Sequence, residues 1–271
     1  MLRINDGPEI KYTFFSDNTS QIWHISMSFS GLNHVTVYWE FFHEMEIMHL
    51  AQLKDLLDAY HIEANLHIKY LPYARADKPV SNMTTFGLHT FARILNAMNF
   101  NEIIILDPHS DMAVKLIQNA ISIYPTNEVW HAAQSTKAQL YIFPDEGAKR
   151  KYRSIYGDCP SLSAQKKREQ STGKIIEYTF EHKIPEDKKS SVLIIDDLCD
   201  GGATFVLLAK KLKDQNVENI NLFVTHGIFS NGLRELKNAG IKRIFTADGE
   251  VLGNNRDSLS VVPWKEEGPD A

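Results

Sequence analysis

A parallel α/β fold is predicted by two features of this sequence. Short apolar runs that end at carboxylates alternate with amphipathic stretches of helical period, and the rhythm occurs once in each half of the chain. Strand–helix–strand order at this spacing calls for right-handed parallel crossovers.

The C-terminal half carries the pattern most plainly. "SVLIID" (191–196) is a short run rich in β-branched residues, suited to a strand covered on both faces. In "FVLLAKKLKDQN" (205–216), Phe205, Leu208 and Leu212 share one helical face and the lysines take the other. "INLFVTHGI" (220–228) reads as a strand, "NGLRELKNAG" (231–240) as a helix stopping at Gly240, and "KRIFTA" (242–247) as a further strand. In the first half, "EIMHLAQLKDLLDAY" (46–60) places Ile47, Leu50, Leu53 and Leu57 at helical spacing. "NLHIKYLPY" (65–73) predicts a strand, "FGLHTFARILNAMNF" (86–100) an amphipathic helix, and "EIIILD" (102–107) a strand ending at Asp107. "AQLYIFPDEG" (138–147) is a strand ending near Asp145. Two α/β units of similar construction are expected, 1–130 and 131–255, with their border near residues 125–138 and a polar, frayed tail over 256–271.

Composition narrows the function classes. The chain has 271 residues, 43% of them hydrophobic, enough for one large core or two modest ones. A formal charge of −5 argues against broad binding to nucleic acid or anionic membranes. No apolar run approaches the length of a membrane-spanning helix, and the first ten residues lack the apolar core of a secretory signal, so a cytoplasmic protein is expected. Cys159 and Cys199 give neither a disulfide framework nor a zinc spacing and read as two reduced thiols.

The chemistry gathers in "VLIIDDLCDGGATF" (192–205). In open parallel sheets, ligands bind beyond the carboxyl ends of the strands. There, Asp196 and Asp197 could accept hydrogen bonds from sugar hydroxyls or hold a hydrated Mg²⁺. Asp200, Gly201, Gly202, Ala203 and Thr204 then turn into a helix whose N-terminus favours an anion. Carboxylates beside an anion cradle suit a ribose bearing a phosphate. A plainer alternative is that Asp200 caps the helix while the glycines only make the turn.

These residues resemble the phosphoribosyl-diphosphate binding motif of type I phosphoribosyltransferases and of the ribose-phosphate diphosphokinases, or PRPP synthetases. Further segments favour the second family, in the same order over roughly residues 10–250. "PYARADK" (72–78) resembles its Pro-Tyr-Ala-Arg-Gln-Asp segment, and "LDPHSD" (106–111) its Asp-Leu-His motif. "FPDEGAKRK" (143–151) resembles its Ser-Pro-Asp-x-Gly-Gly-Ala-Lys-Arg loop, "KKRE" (166–169) stands in place of its Lys-x-Arg loop, and "VTHGIFS" (224–230) resembles its Thr-His-Gly-Ile-Phe-Ser segment.

The resemblance implies two phosphoribosyltransferase-like parallel-sheet units packed together, with the active site between them. It also implies transfer of the β,γ-diphosphate of ATP to the anomeric hydroxyl of ribose 5-phosphate in nucleotide biosynthesis, with Mg²⁺ as cofactor and a homo-oligomer, dimer to hexamer, as assembly. Because the chain has no G-x-x-x-x-G-K-[ST], other cations must stabilise the transferring group. By resemblance Lys166 and Arg168 do so from a mobile loop. A solvated basic loop is the alternative. Arg75 and Asp77 are implied as ATP contacts. Asp107, His109 and Asp145 are implied on the Mg²⁺–ATP side, with His109 also catalytic, although a histidine at a strand end is commonly a capped or core residue. Phe15 and Asp17, in "TFFSDNTSQ" (13–21), resemble a loop that reaches the adenine of a neighbouring subunit; by residue type alone Phe15 is equally a core side chain.

Several positions depart from the family pattern. Ala76 replaces a glutamine, Asn18 and Thr19 replace Gly and Glu, and Asp200-Gly201-Gly202-Ala203-Thr204 stands where Asp-Thr-Gly-Gly-Thr is common, with one hydroxyl donor fewer. The amphipathic helix that usually follows "TADGEVLGNN" (246–255) is missing, so altered allosteric sites are expected. The hydroxyl missing from this loop need not abolish ribose 5-phosphate binding; the alternative expectation is that it makes room for a 5′-substituted ribose such as ADP-ribose, which would connect the protein to NAD metabolism. A phosphoribosyltransferase that consumes PRPP and a non-catalytic synthetase-like subunit are the remaining readings.

Overall fold

The computed structural model describes residues 1–157, 159–168, 175–180 and 182–251, without the side chains of Tyr156, Lys167, Arg168, residues 175–177 and residues 249–250. The expected tail, 256–271, lies outside the described residues. Two compact units meet between Ile123 and Tyr124.

The first unit holds β1 (Leu2–Ile4), β2 (Thr13–Phe14), β3 (Ser20–Gln21), β4 (His34–Trp39), α1 (Met45–Ala59), β5 (Glu63–Ile68), α2 (Gly87–Ala97), β6 (Ile103–Leu106), α3 (Met112–Leu116) and β7 (Ala120–Ile123). Its main sheet runs β1-β4-β5-β6-β7; β1 is antiparallel to β4 and the rest are parallel. β2 and β3 form a separate short hairpin. Val35, Val37 and Trp39 point inward from β4, the period-2 signature of a strand. On α2, Leu88, Phe91, Ala92 and Leu95 are buried at the i, i+3, i+4, i+7 spacing of one helical face.

The second unit holds α4 (Thr126–Thr136), β8 (Leu140–Phe143), α5 (Glu146–Lys151), α6 (Arg153–Tyr156), β9 (Ser161–Arg168), β10 (Ile175–Phe180), β11 (Ser191–Cys199), α7 (Ala203–Asp214), β12 (Asn219–Gly227), α8 (Arg234–Asn238), β13 (Ile241–Thr246) and β14 (Gly249–Glu250). Strand order is β10-β9-β8-β11-β12-β13-β14. β9 through β13 pair in parallel, and β10 and β14 close the two edges antiparallel.

Alternate residues of β11 feed two different cores. Val192 and Ile194 pack with Phe205, Leu208 and Leu212 of α7, whereas Leu193 and Ile195 pack with Val129 and Ala132 of α4 and with Tyr152. A strand covered on both faces needs an unbroken apolar run, and "VLII" is one.

Two expectations change. The Lys166 segment is not a free loop: Lys166 lies in β9, opposite Tyr178 on β10. Its sequence has few apolar residues, and pairing to β8 on one side and β10 on the other makes it a strand. Nor does the central strand end at Asp196; β11 continues to Cys199. Period 2 therefore sends the adjacent carboxylates of Asp196 and Asp197 to opposite faces of the sheet, not into one crevice together.

Candidate active site

Chain order reverses direction across the sheet between β8 and β11: β9 follows β8 on one side, while β11 lies on the other. Ligands favour the carboxyl ends of strands at such a switch point. Beyond β8, Asp145 starts α5 in extended conformation, and its Oδ1 accepts a hydrogen bond from the Ala148 N–H at 2.9 Å. Its other oxygen, Oδ2, accepts from Lys166 Nζ at 2.6 Å. Burial alone would raise the Asp145 carboxyl, but the Lys166 ammonium and the helix N–H groups outweigh it and hold the group below its ordinary value. Lys166 is shifted up for the reciprocal reason: burial opposes its charge and Asp145 more than compensates. Beside the pair opens a recess of about 430 Å³ lined by Asp145, Glu146, Ser163, Ala164, Gln165 and Lys166.

On β11, Asp196 is half-buried and Asp197 buried. The Asp197 N–H donates to Asp196 Oδ1 at 3.0 Å. Desolvation, and then the neighbouring Asp197 charge, push the Asp196 carboxyl well above the usual range. Asp197, on the opposite face, has Lys151 Nζ at 3.8 Å. Lys151 belongs to "FPDEGAKRK", a segment in which sequence reasoning singled out only Asp145.

The glycine turn follows. Gly202, not Asp200, is the N-cap of α7, and its φ of +80° is left-handed. A Cβ there would come within 3.2 Å of Leu236 Cδ2. Asn231 Nδ2 donates to the Gly201 carbonyl at 3.2 Å, tying the turn from behind. Ala203 and Thr204 open the first helical turn, where backbone N–H groups lack intrahelical acceptors and favour an anion. Replacing Gly202 with alanine is expected to cost about 1–2 kcal/mol for the left-handed backbone, read from chemical denaturation. An unchanged unfolding midpoint would contradict the strain.

Arg168 ends β9 opposite Ile175, and its side chain lies outside those described. Tyr178, which sequence reasoning missed, stands across from Lys166. The signal was the alternation of "IIEYTF", overlooked because the preceding basic run read as loop.

In the first unit, the chain leaves the adjacent carboxyl ends of β5 and β6 toward Arg75, Asp77, Asp107 and His109. Arg75 and His109 are exposed. Ala76 lies against the start of α2, where a Cβ on Gly87 would fall 3.1 Å from the Ala76 Cβ, so both positions are small because the backbones approach closely. Asp107 is buried with φ +44°, a left-handed conformation that aspartate tolerates better than most residues. Phe15 is 40% exposed, which removes the core alternative, and it meets Trp23 edge-on at 6.1 Å. Asp17 accepts from the N–H and hydroxyl of Thr19 at 3.0 and 2.7 Å, and these bonds lower its carboxyl. Asn18, at the glycine position of the resembled loop, takes φ +64°.

Among the described residues no three His, Cys, Asp or Glu side chains cluster as a metal cage. Magnesium commonly enters on one or two carboxylates plus phosphate oxygens, retaining water. The carboxylates of Asp145 and Asp107 suit it chemically; the imidazole of His109 suits it less. Among the described residues no helix is long and apolar enough to cross a membrane.

No family model matches the chain. It is similar to the curated ribose-phosphate pyrophosphokinases of Methanosarcina acetivorans, 26% identical over 226 residues (81% of this chain, 76% of the relative), and Thermosipho africanus, 22% identical over 209 residues (72% and 63%). The chain spans only about three fifths of the length of some relatives, 63% for that of Thermosipho africanus and 58% for the ribose-phosphate pyrophosphokinase of Corynebacterium efficiens. The crystal structure of phosphoribosylpyrophosphate synthetase from Mycobacterium smegmatis shares the fold, with a TM-score of 0.71 over 87% of this chain and 78% of that one at 16% identity. In motif order and sequence the chain is similar to the ribose-phosphate pyrophosphokinases, and it shares the fold of phosphoribosylpyrophosphate synthetase.

Proposed function

We propose that the protein transfers the β,γ-diphosphate of ATP to the anomeric hydroxyl of ribose 5-phosphate, giving PRPP and AMP. The anomeric oxygen forms a bond to the β-phosphorus, the bond from that phosphorus to the oxygen shared with the α-phosphate breaks, and the hydroxyl proton is released. The observation that carries the reading is the convergence, at the switch point of the second unit, of Lys166, Asp145, Asp196 and the N-terminus of α7.

Each part of this set has a task in that chemistry. The first turn of α7, with Thr204, holds the 5-phosphate. Asp196 accepts from sugar hydroxyls. Lys166, with Arg168 two positions on, balances negative charge on the transferring group. A bound Mg²⁺ would supply further neutralisation of phosphate oxygens, with Asp145 in the second unit, or Asp107 in the first, as a carboxylate suited to hold it. Arg75, Asp77, His109, Phe15 and Asp17 are proposed nucleotide contacts of the first unit. The alternative acceptor is ADP-ribose: Gly201 brings no hydroxyl where the resembled loop has a threonine, and Ala203 beside it is exposed.

The test is AMP release from Mg²⁺–ATP with ribose 5-phosphate and ADP-ribose in separate reactions, products identified by mass. AMP with PRPP supports the first reading. AMP only with ADP-ribose, and a product heavier by one diphosphate, supports the second. Base-dependent loss of PRPP without ATP identifies a phosphoribosyltransferase, and no turnover with any acceptor identifies a non-catalytic subunit.

A further inference from the structure

Tyr178 sits within β10 in the core shared with Phe205 and Leu208 of α7, and is 1% exposed. Its hydroxyl oxygen is buried, and among the described residues it has no partner in hydrogen-bonding geometry. Buried hydroxyls are nearly always satisfied, so a lone one needs an explanation. The surrounding groups are specific. The Thr204 hydroxyl is near enough to act on the phenol as a weak hydrogen-bonding neighbour, though outside the geometry of a formed bond, and Lys166, Asp196 and Asp145 are the charges that act on it. Each of these already has a part in the proposed reaction; Tyr178 alone has none.

From this geometry we propose that the Tyr178 hydroxyl donates a hydrogen bond to a phosphate oxygen of the ribosyl acceptor, beside Thr204 at the first turn of α7. The proposal rests on the reading of that turn as the acceptor-phosphate site. Lys166, opposite Tyr178 in the strand ladder, is a long flexible side chain with its head partly exposed, and the proposal requires it to swing toward the ligand so that the phenol can reach the phosphate. Burial raises the phenol above its ordinary value and thus keeps it a neutral donor at physiological pH. A phosphate accepts several donors, and the helix N–H groups, Thr204 and Tyr178 approach from different elements. The ligand class is a ribose carrying a 5-phosphate monoester or diester.

The experiment uses the full chain and its Tyr178→Phe variant, which keeps the ring and removes only the oxygen. Affinities for ribose 5-phosphate and ADP-ribose are measured by calorimetry, alongside the KM for ATP and the thermal midpoint. Tyr178→Phe is expected to weaken the acceptor roughly tenfold or more, as for loss of a bond to a charged group, with KM for ATP unchanged. The thermal midpoint should hold or rise, because an unsatisfied buried hydroxyl has gone. Equal acceptor affinity in both proteins overturns the assignment while leaving the function intact. A lowered midpoint, or equal loss of acceptor and ATP binding, overturns it in favour of a structural role. If the unaltered protein binds neither acceptor, the reading of the turn fails and the Tyr178 assignment fails with it.

Discussion

Replacing Lys166 with alanine should lower kcat by roughly 10²–10³ while the KM for each substrate moves only a few-fold. Charge on the phosphoryl oxygens redistributes as the diphosphate passes from AMP to the acceptor, so a cation there is worth more in the transition state than in the bound substrates. The stability effect should be small. The Lys166–Asp145 pair is partly exposed, 26% and 42% for the two side chains, and such pairs contribute about 1 kcal/mol or less. Folding and catalysis therefore separate in one variant: the denaturation midpoint barely moves and single-turnover AMP formation collapses. Near-normal kcat would remove Lys166 from the transferring step.

Asp196→Asn should act in the opposite sense on binding and stability. The substitution preserves size and leaves an oxygen for the Asp197 N–H, now 3.0 Å from Asp196 Oδ1. It removes a charge that burial and Asp197 both disfavour. Because the folded-state carboxyl is raised, the folded protein holds this proton to higher pH than the unfolded chain does. Its ionisation consequently subtracts stability as pH rises above the ordinary carboxylate value. The stabilising effect of asparagine should be absent well below about pH 4 and grow toward neutrality. Meanwhile the acceptor KM should rise roughly ten- to hundredfold, since a charged acceptor of sugar hydroxyl bonds becomes a neutral one. Denaturation curves at several pH values and acceptor titrations check the two halves. An unchanged acceptor KM would contradict the role given to Asp196.

How much of this was legible varied by element. α2 and α7 announce themselves through i, i+3, i+4, i+7 apolar spacing, and "VLII" and "EIIIL" through continuous apolar runs. β4 was legible in principle, since "HVTVYW" alternates cleanly, yet no helix-like partner precedes it to complete the rhythm. β9 was not: "SLSAQKKR" offers little apolar surface, and its extended form comes from neighbouring strands far away in sequence. The Lys166–Asp145 contact joins residues 21 positions apart and belongs to tertiary structure alone. The division of Asp196 and Asp197 between two faces followed from a strand that runs three residues further than the charges suggested.

The Lys166–Asp145 pair also bears on which solutes the site admits. Each member already has its counter-ion inside the protein. A bare anion can claim Lys166 only by leaving the half-buried Asp145 carboxylate without its cation, a penalty of about 1 kcal/mol or less for a pair this exposed. A solute bearing phosphate and a divalent cation together replaces one internal pair with two external ones and strands neither group. If the site takes a metal-bound nucleotide as proposed, chloride and inorganic phosphate are thus slightly handicapped relative to it. Selectivity of this kind comes from the penalty on the wrong occupant, and it is present before any substrate arrives.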